Sequence, residues 1–297
     1  MILTGRREKR KTPFPSGLLF VFLIKCCLFL LSGLIFYSSS LAAVNPWTAL
    51  ADGLDRARFS DPQSDTSDSF LTIIRIDPAK WEIRFLSISK TGEEKGMSAQ
   101  KWCQKYDLAA AINGGLYDQD GRTHVGLLKI DGQLVNRRRN SYKSAAAVKA
   151  RRPGLPEFRI FDLDVVPLDS VVTDYDNVMQ NQRLIKCPGE NRWPPGGREW
   201  IEAALGEDSL GRALFIYCPK AVSMYDFNEL LLSLPIGLVC AQHLEGGVQS
   251  QLFLDCNDAQ IHIAGGKTVN EADALEMIFE WPLPNIIGIR PKAPSRD

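Results

Sequence analysis

The run AQHLEGGVQSQLFL, residues 241–254, sets His243, Glu245 and the pair Gly246–Gly247 between two apolar, strand-like stretches. A carboxylate at a strand end, followed by residues without side chains, lets a bulky ligand approach the backbone, and open glycine N–H groups cradle phosphate oxygens. Hydrolysis of a sugar phosphodiester asks for such a set. It needs a carboxylate to activate water or attack the anomeric carbon, donors for the phosphate, and neutral polar groups for the hydroxyls. Phosphate is already a good leaving group, so little general-acid help is required. Glu245, the Gly246 and Gly247 amides, Arg183 in QNQRLI and Asn113 in AAAINGG supply that set. Strand alternation puts His243 and Glu245 on one face, where the carboxylate is placed to orient or charge the imidazole.

A weak internal echo supports the grouping. AAAINGGLYD (109–118) and CAQHLEGGVQ (240–249) both run from small apolar residues through a polar one into Gly-Gly. Two strands leaving a core through glycines would bring Asn113, Gly114 and Gly115 to the same end as Glu245, with His124 of GRTHVG as a further lining group. Plainer roles stay open for each. The glycines can be tight turns needing positive φ, Arg183 an ion-pair arginine, Asn113 an Asx turn, His124 a loop residue and His243 a structural histidine.

Other chemistries have less behind them. Ser250, His243 and Asp255 could be drawn as a hydrolase triad, but there is no G-x-S-x-G elbow. HExxH, P-loop and dinucleotide patterns are absent. Three His and no CxxC pair argue against a His- or Cys-based metal site. No cofactor is expected. The metal question is left open only for a divalent cation such as Ca²⁺ at Asp118 and Asp120 of YDQDGR, where a solvated turn is the simpler account.

The elements that must position these groups read mainly as strands. FLTIIRID and WEIRFLSIS look like a hairpin joined through PAK, and Asp131-Gly132 marks a second between LLKI and QLVN. MSAQKWCQKY reads as a short helix capped by Ser98. SMYDFNELLLSLP is the clearest helix, with Ser223 and Asp226 at capping-box spacing and Pro235 beyond. FRIFDLDVV, RLIKC, RALFIYC, GLVCAQHL, SQLFLD, AQIHIAG and NIIGI are further strands. Many strands, few helices and no regular βα alternation give an α+β class, with a central, mainly antiparallel sheet core flanked by a few helices.

The 297 residues suffice for one domain behind a leader. GRREKRK precedes an apolar stretch interrupted by Lys25, and Ser40 and Ala42 occupy the small-residue positions before a cut ahead of Ala43. Residues 1–42 are therefore a signal peptide, or a signal anchor holding the membrane through residues 17–37 if uncut. Either way the body is exported, to the periplasm or cell envelope. Residues 43–68, ending in FSDPQSDTSDS, read as a linker, and 69–291 as the folded domain.

The zero formal charge is an average over unlike parts. Without the leader's six basic residues and one acid, 29 basic and 34 acidic residues remain, a net charge of −5. That argues against nucleic acid as a partner. NRRRN (136–140) is the one dense basic cluster, either a solvated loop or a contact for an anionic polymer. The five cysteines beyond the leader allow one or two disulfides without specifying them, and Cys218 and Cys240 sit in apolar runs as core residues.

Five segments in order carry a family resemblance: AAAINGGLYDQDGRTHVGLLKIDGQLVN, MQNQRLIKCPGENRW, EAALGEDSLGRALFIYC, SMYDFNELLLSLP and AQHLEGGVQSQLFL. Together, from about Phe70 to Ile289, they resemble the phosphodiester glycosidase family, the last in the LEGG form of a bacterial branch. The resemblance implies an α+β fold, a sugar-1-phosphodiester substrate tied to surface or exopolysaccharide metabolism, and a pocket lined by Glu245 and the glycines. Glu245 stands where Asp is usual, and Glu202 where an Arg precedes the family's third segment, which shifts the phosphate contact toward Arg183. The implied partner is a carbohydrate phosphodiester. A non-catalytic envelope protein binding anionic glycans on the same fold is the alternative.

Overall fold

The computed structural model describes residues 45–60, 69–265, 267–268 and 281–293. The leader expected over 1–42 lies outside the described residues. In chain order the strands begin with β1 (Trp47–Ala51), β2 (Leu54–Ser60), β3 (Ser69–Ile76), β4 (Trp81–Ser87), β5 (Ala110–Asn113), β6 (Leu128–Ile130), β7 (Gln133–Asn136), β8 (Ser144–Ala150) and β9 (Phe158–Asp162). They continue with β10 (Tyr175–Asn181), β11 (Arg183–Lys186), β12 (Glu190–Asn191), β13 (Glu199–Asp208), β14 (Ala213–Ser223), β15 (Leu238–His243), β16 (Gln251–Cys256), β17 (Ala259–Ala264), β18 (Lys267–Thr268) and β19 (Asn285–Pro291). The helices are α1 (Ile88–Thr91), α2 (Ala99–Tyr106), α3 (Leu168–Asp174) and α4 (Met224–Ser233).

The strands form three sheets, of order β1-β2-β3-β14-β13-β15-β11-β12, β7-β6-β10-β8-β9 and β18-β17-β16-β5-β19-β4. All three contribute to one apolar core. Ile74, Leu205 and Phe215 come from the first, Leu128 and Met179 from the second, and Phe85, Ile112, Leu252 and Ile287 from the third. The α+β class with antiparallel sheets is what the sequence leads one to expect.

Each helix covers an outer face. On α2, Trp102 and Cys103 pack on Ala111, Phe253 and Ile286, and the Ser98 hydroxyl accepts from the Lys101 N–H. Trp102 is fully buried, so its truncation to Ala would cost about 3–5 kcal/mol. On α4, Phe227 and Leu231 lie against Leu184, Ile216 and Ala241. Its N-terminus is the expected reciprocal cap: the Ser223 hydroxyl donates to Asp226 Oδ2 at 2.6 Å and accepts from the Asp226 N–H at 3.1 Å.

The Asp131-Gly132 turn forms as expected between β6 and β7, with φ of 47° and 77° at its two central residues. Two other expectations need correction. The chain does turn at Asp77–Lys80, yet β3 pairs with β2 and β14 while β4 pairs with β19, so this turn passes the chain between sheets. Both edges of β3 are already taken, which alternation along one strand cannot reveal. The folded body also starts earlier than the expected linker allows. Residues 47–60 form the β1–β2 hairpin around Gly53 at φ 73°, with Leu54 and Ala57 buried and Arg75 stacked 3.9 Å over Trp47. Asp52-Gly53 between apolar residues was the overlooked signal. Residues 61–68 lie outside the described residues.

Cys187 and Cys240 form a disulfide linking the segment after β11 to β15, while Cys103, Cys218 and Cys256 are free. Cys240 is thus both a core residue, as expected, and a cross-link.

Candidate active site

One strand end from each sheet meets the others at a single place. β5 ends in Asn113, β10 in Asn181 and β15 in His243. Hydrogen bonds tie the three together. Asn113 Nδ2 donates to the Glu245 carbonyl at 2.7 Å, and Asn113 Oδ1 accepts from the Gln251 N–H at 3.1 Å. Gln242 Nε2 donates to the Met179 carbonyl at 3.4 Å, and the His243 N–H to the Gln182 carbonyl at 2.9 Å. Asn113 therefore clamps the two Gly-Gly loops with both ends of its amide.

The glycines admit this closeness. A Cβ on Gly114 would lie 2.9 Å from the Asn285 backbone. On Gly115, at φ 107°, it would lie 2.3 Å from Asn181 Oδ1. Gly246 approaches the Ile201 carbonyl, 2.7 Å from where a Cβ would stand, and Gly247 at φ 67° faces open space. All four glycines and Asn113 thus sit together, as the echo in the sequence implies.

Glu245 is half-buried within this junction. Burial raises its carboxyl pKa, and the nearby His243 and the N–H groups of Tyr117 and Gly246 pull it back only partly, leaving it at about 7. Tyr117 is pushed up to about 12 by burial and by Glu245, and Tyr142 is raised by the same two causes against the opposing pull of Arg138. Two phenols thus flank the carboxyl.

His243 is held from behind. Its Nδ1 donates to Glu202 Oε2 at 2.9 Å, and Glu202 has no solvent exposure. With Nδ1 committed to that carboxylate, Nε2 is the ring nitrogen left for other contacts, and the ring's Cε1 edge runs 3.6 Å from where a Gly246 Cβ would be. Glu202 was anticipated only as a missing arginine. Its partnership with His243 crosses from β13 to β15 and had no local sequence signal.

Two expected site residues are employed elsewhere. Arg183 Nη1 donates to Asp162 at 2.8 Å and Asp164 at 2.6 Å, so its charge is matched twice over within the fold. That corrects its expected role as the phosphate arm, since a ligand would have to displace both carboxylates. His124 is buried, its Nε2 donating to the Gln180 carbonyl at 2.9 Å, and burial pushes its pKa down to about 4. It pins the 116–125 loop to β10 rather than facing Glu245.

The triad drawing also fails. The Ser250 hydroxyl is buried, donating to the Gly247 carbonyl at 2.7 Å and lying 3.1 Å from the Tyr217 hydroxyl, while His243 turns to Glu202. In the YDQDGR turn, Asp120 accepts from the Thr123 side chain and Asp118 from Arg138. No cluster of metal-ligating side chains occurs among the described residues.

Sequence reasoning missed a set of amides. Asn181, Asn285 and Gln242 are almost wholly buried, and both amide atoms of the first two and Oε1 of the third lack hydrogen bonds among the described residues. Asn285 backs Gly114, and Asn181 backs Gly115. Buried amides without partners are costly, and native folds keep them where water or a ligand completes the set. Their only sequence mark was a position at a strand end.

A family profile for phosphodiester glycosidases matches residues 106–290, more than half of the chain. The chain belongs to the phosphodiester glycosidase family. No curated protein sequence matches it. Among solved structures it is similar to the zebrafish N-acetylglucosamine-1-phosphodiester α-N-acetylglucosaminidase catalytic domain auto-inhibited by its pro-peptide. The TM-score is 0.57 at 13% identity, covering 82% of this chain and 86% of that one. A hypothetical protein from Synechocystis aligns with TM-score 0.52 and 13% identity over 84% of this chain and 65% of its own. Identities this low show a shared fold alone.

Proposed function

We propose that this protein is an exported hydrolase that cleaves a sugar-1-phosphodiester, with Glu245 as its catalytic carboxylate. The observation that carries the proposal is the half-buried Glu245 carboxyl, its pKa raised by burial to about 7, between the two Gly-Gly loops. A base whose pKa lies near the working pH is the most effective one. Ionised Glu245 takes a proton from water as the water oxygen bonds to the anomeric carbon. The bond from that carbon to the phosphate oxygen breaks, and its electron pair leaves with the phosphate monoester, which needs no strong acid. His243, steadied by Glu202, supports the ionised carboxylate. The Gly247 N–H faces the phosphoryl oxygens, while the Gly246 N–H expected beside it stays on the Glu245 carboxylate and the buried amides of Asn181, Asn285 and Gln242 support the junction from behind. No resident cofactor has a part in this scheme.

Export is supported by the leader-like residues 1–42 and by the Cys187–Cys240 bridge, since such bridges persist in oxidising compartments. The setting proposed is the periplasm or cell envelope.

The test is sugar release by residues 43–297 from a panel of sugar-1-phosphodiesters, with Glu245→Gln alongside. Turnover should drop about a thousandfold in the variant, and wild-type kcat/KM should rise with pH through about 7 as Glu245 ionises. Absence of turnover across the panel, with glycan binding intact in both proteins, would replace the enzyme by the anionic-glycan binding protein.

A further inference from the structure

The tying of Arg183 leaves the reaction without its expected cation. Cleavage of a phosphodiester places negative charge on the phosphate side of the scissile bond, and a single loop amide is a modest counterweight. The NRRRN cluster, which the chemistry above does not use, lies next to this gap. Asn136 ends β7, and its Nδ2 donates at 2.9 Å to the Gly126 carbonyl and also to the His124 carbonyl. Farther along, Gln180 Nε2 donates to the carbonyls of Asn140 at 3.2 Å and Tyr142 at 2.9 Å, while Gln180 Oε1 accepts from the Leu127 N–H at 3.2 Å. The 136–142 segment is therefore fixed at both ends to the strands beside the junction.

From that segment Arg138 reaches the Glu245 shell by a short route. Its Nη1 donates to Asp118 Oδ2 at 2.8 Å, and Asp118 follows Tyr117, whose N–H bonds the Glu245 carboxylate. Tyr142 lies within electrostatic reach of both Glu245 and Arg138. The Arg138 side chain keeps 60% exposure, so most of its five donors stay open to a ligand. Arg137 is exposed and has no ion pair among the described residues. Arg139 is different, since Asp169 takes it in a two-pronged pair.

We propose that Arg137 and Arg138, with Tyr142 beside them, form an anion subsite that receives the phosphate side of the substrate. The proposal rests on the reading of Glu245 given above and adds to it the group that holds the departing phosphate. A guanidinium fork matches phosphate oxygens in pairs, and Asp118 keeps Arg138 aimed while leaving its outer edge free. The subsite selects for charge on the side of the scissile bond away from the sugar. A neutral glycoside of the same sugar gains nothing from it.

The experiment uses two readouts. The first is binding of methyl phosphate to residues 43–297, followed by calorimetry at two salt concentrations, for wild type, Arg137→Gln/Arg138→Gln and the control Arg139→Gln. The expected result is affinity about tenfold weaker with a flatter salt dependence in the double variant, and wild-type affinity in the control. Equal affinity in all three proteins, with melting temperatures unchanged, would overturn the subsite. The second readout is kcat/KM on a sugar-1-phosphodiester against the uncharged nitrophenyl glycoside of the same sugar. A loss confined to the phosphodiester supports the subsite, and an equal loss on both substrates sinks it. Should wild type turn over neither, the hydrolase proposal fails, while the methyl phosphate measurement still decides the subsite by itself.

Discussion

Asn113-Gly114-Gly115 and Glu245-Gly246-Gly247 are near repeats in sequence, yet the fold uses them in opposite ways. In the first loop both glycines are closed in, one by the Asn285 backbone and one by the Asn181 amide, and the polar residue before them is a buried clamp. In the second only Gly246 is confined, Gly247 opens outward, and the preceding polar residue is a half-buried acid whose pKa has climbed to about 7. One loop is a joint and the other is a mouth. Space demands glycine at 114, 115 and 246, whereas at 247 only the backbone angle does.

Substitutions can break this contrast. Gly115→Ala should be the most damaging, because the new methyl meets Asn181 at 2.3 Å in a backbone conformation that L residues resist. A loss of more than about 3 kcal/mol is expected in urea unfolding, and a loss under 1 kcal/mol would show the joint to be softer than described. Next comes the energetic cost of the mouth itself. Between about pH 4.5 and 7 folded Glu245 keeps a proton that the unfolded chain has released, so its contribution to stability falls as pH rises through that window. Glu245→Gln lacks this penalty, and should gain about 2 kcal/mol over wild type on going from pH 4 to pH 8. A pH-independent difference between the two proteins would mean that Glu245 ionises freely. Gly247→Ala should be mildest, costing about 1 kcal/mol by thermal melting, since only its φ of 67° opposes a side chain.

What the sequence made plain was local. The Asp131-Gly132 turn, the Ser98 cap and the Ser223–Asp226 capping box are each decided within four residues, and all three form. The echo of the Gly-Gly loops pointed to the junction because both strands carry their own exit signal. What stayed hidden depends on partners far along the chain. Arg183 is taken by Asp162 and Asp164, His243 by Glu202 and Gly115 by Asn181, each across a strand boundary that no local pattern announces. The same cause misdirected the β3–β4 hairpin, where a true turn joins strands belonging to different sheets.

The meeting of three sheets at Asn113, Asn181 and His243 also governs how this protein can fail. A site built on one loop can melt by itself while the body survives. Here the clamp and the supporting amides belong to strands that share a single apolar core, and the carboxyl sits on the short loop between two of them, so no sheet can detach without dismantling the junction. Loss of activity on heating would then coincide with global unfolding, and residual activity would serve as a gauge of the whole fold's cooperativity.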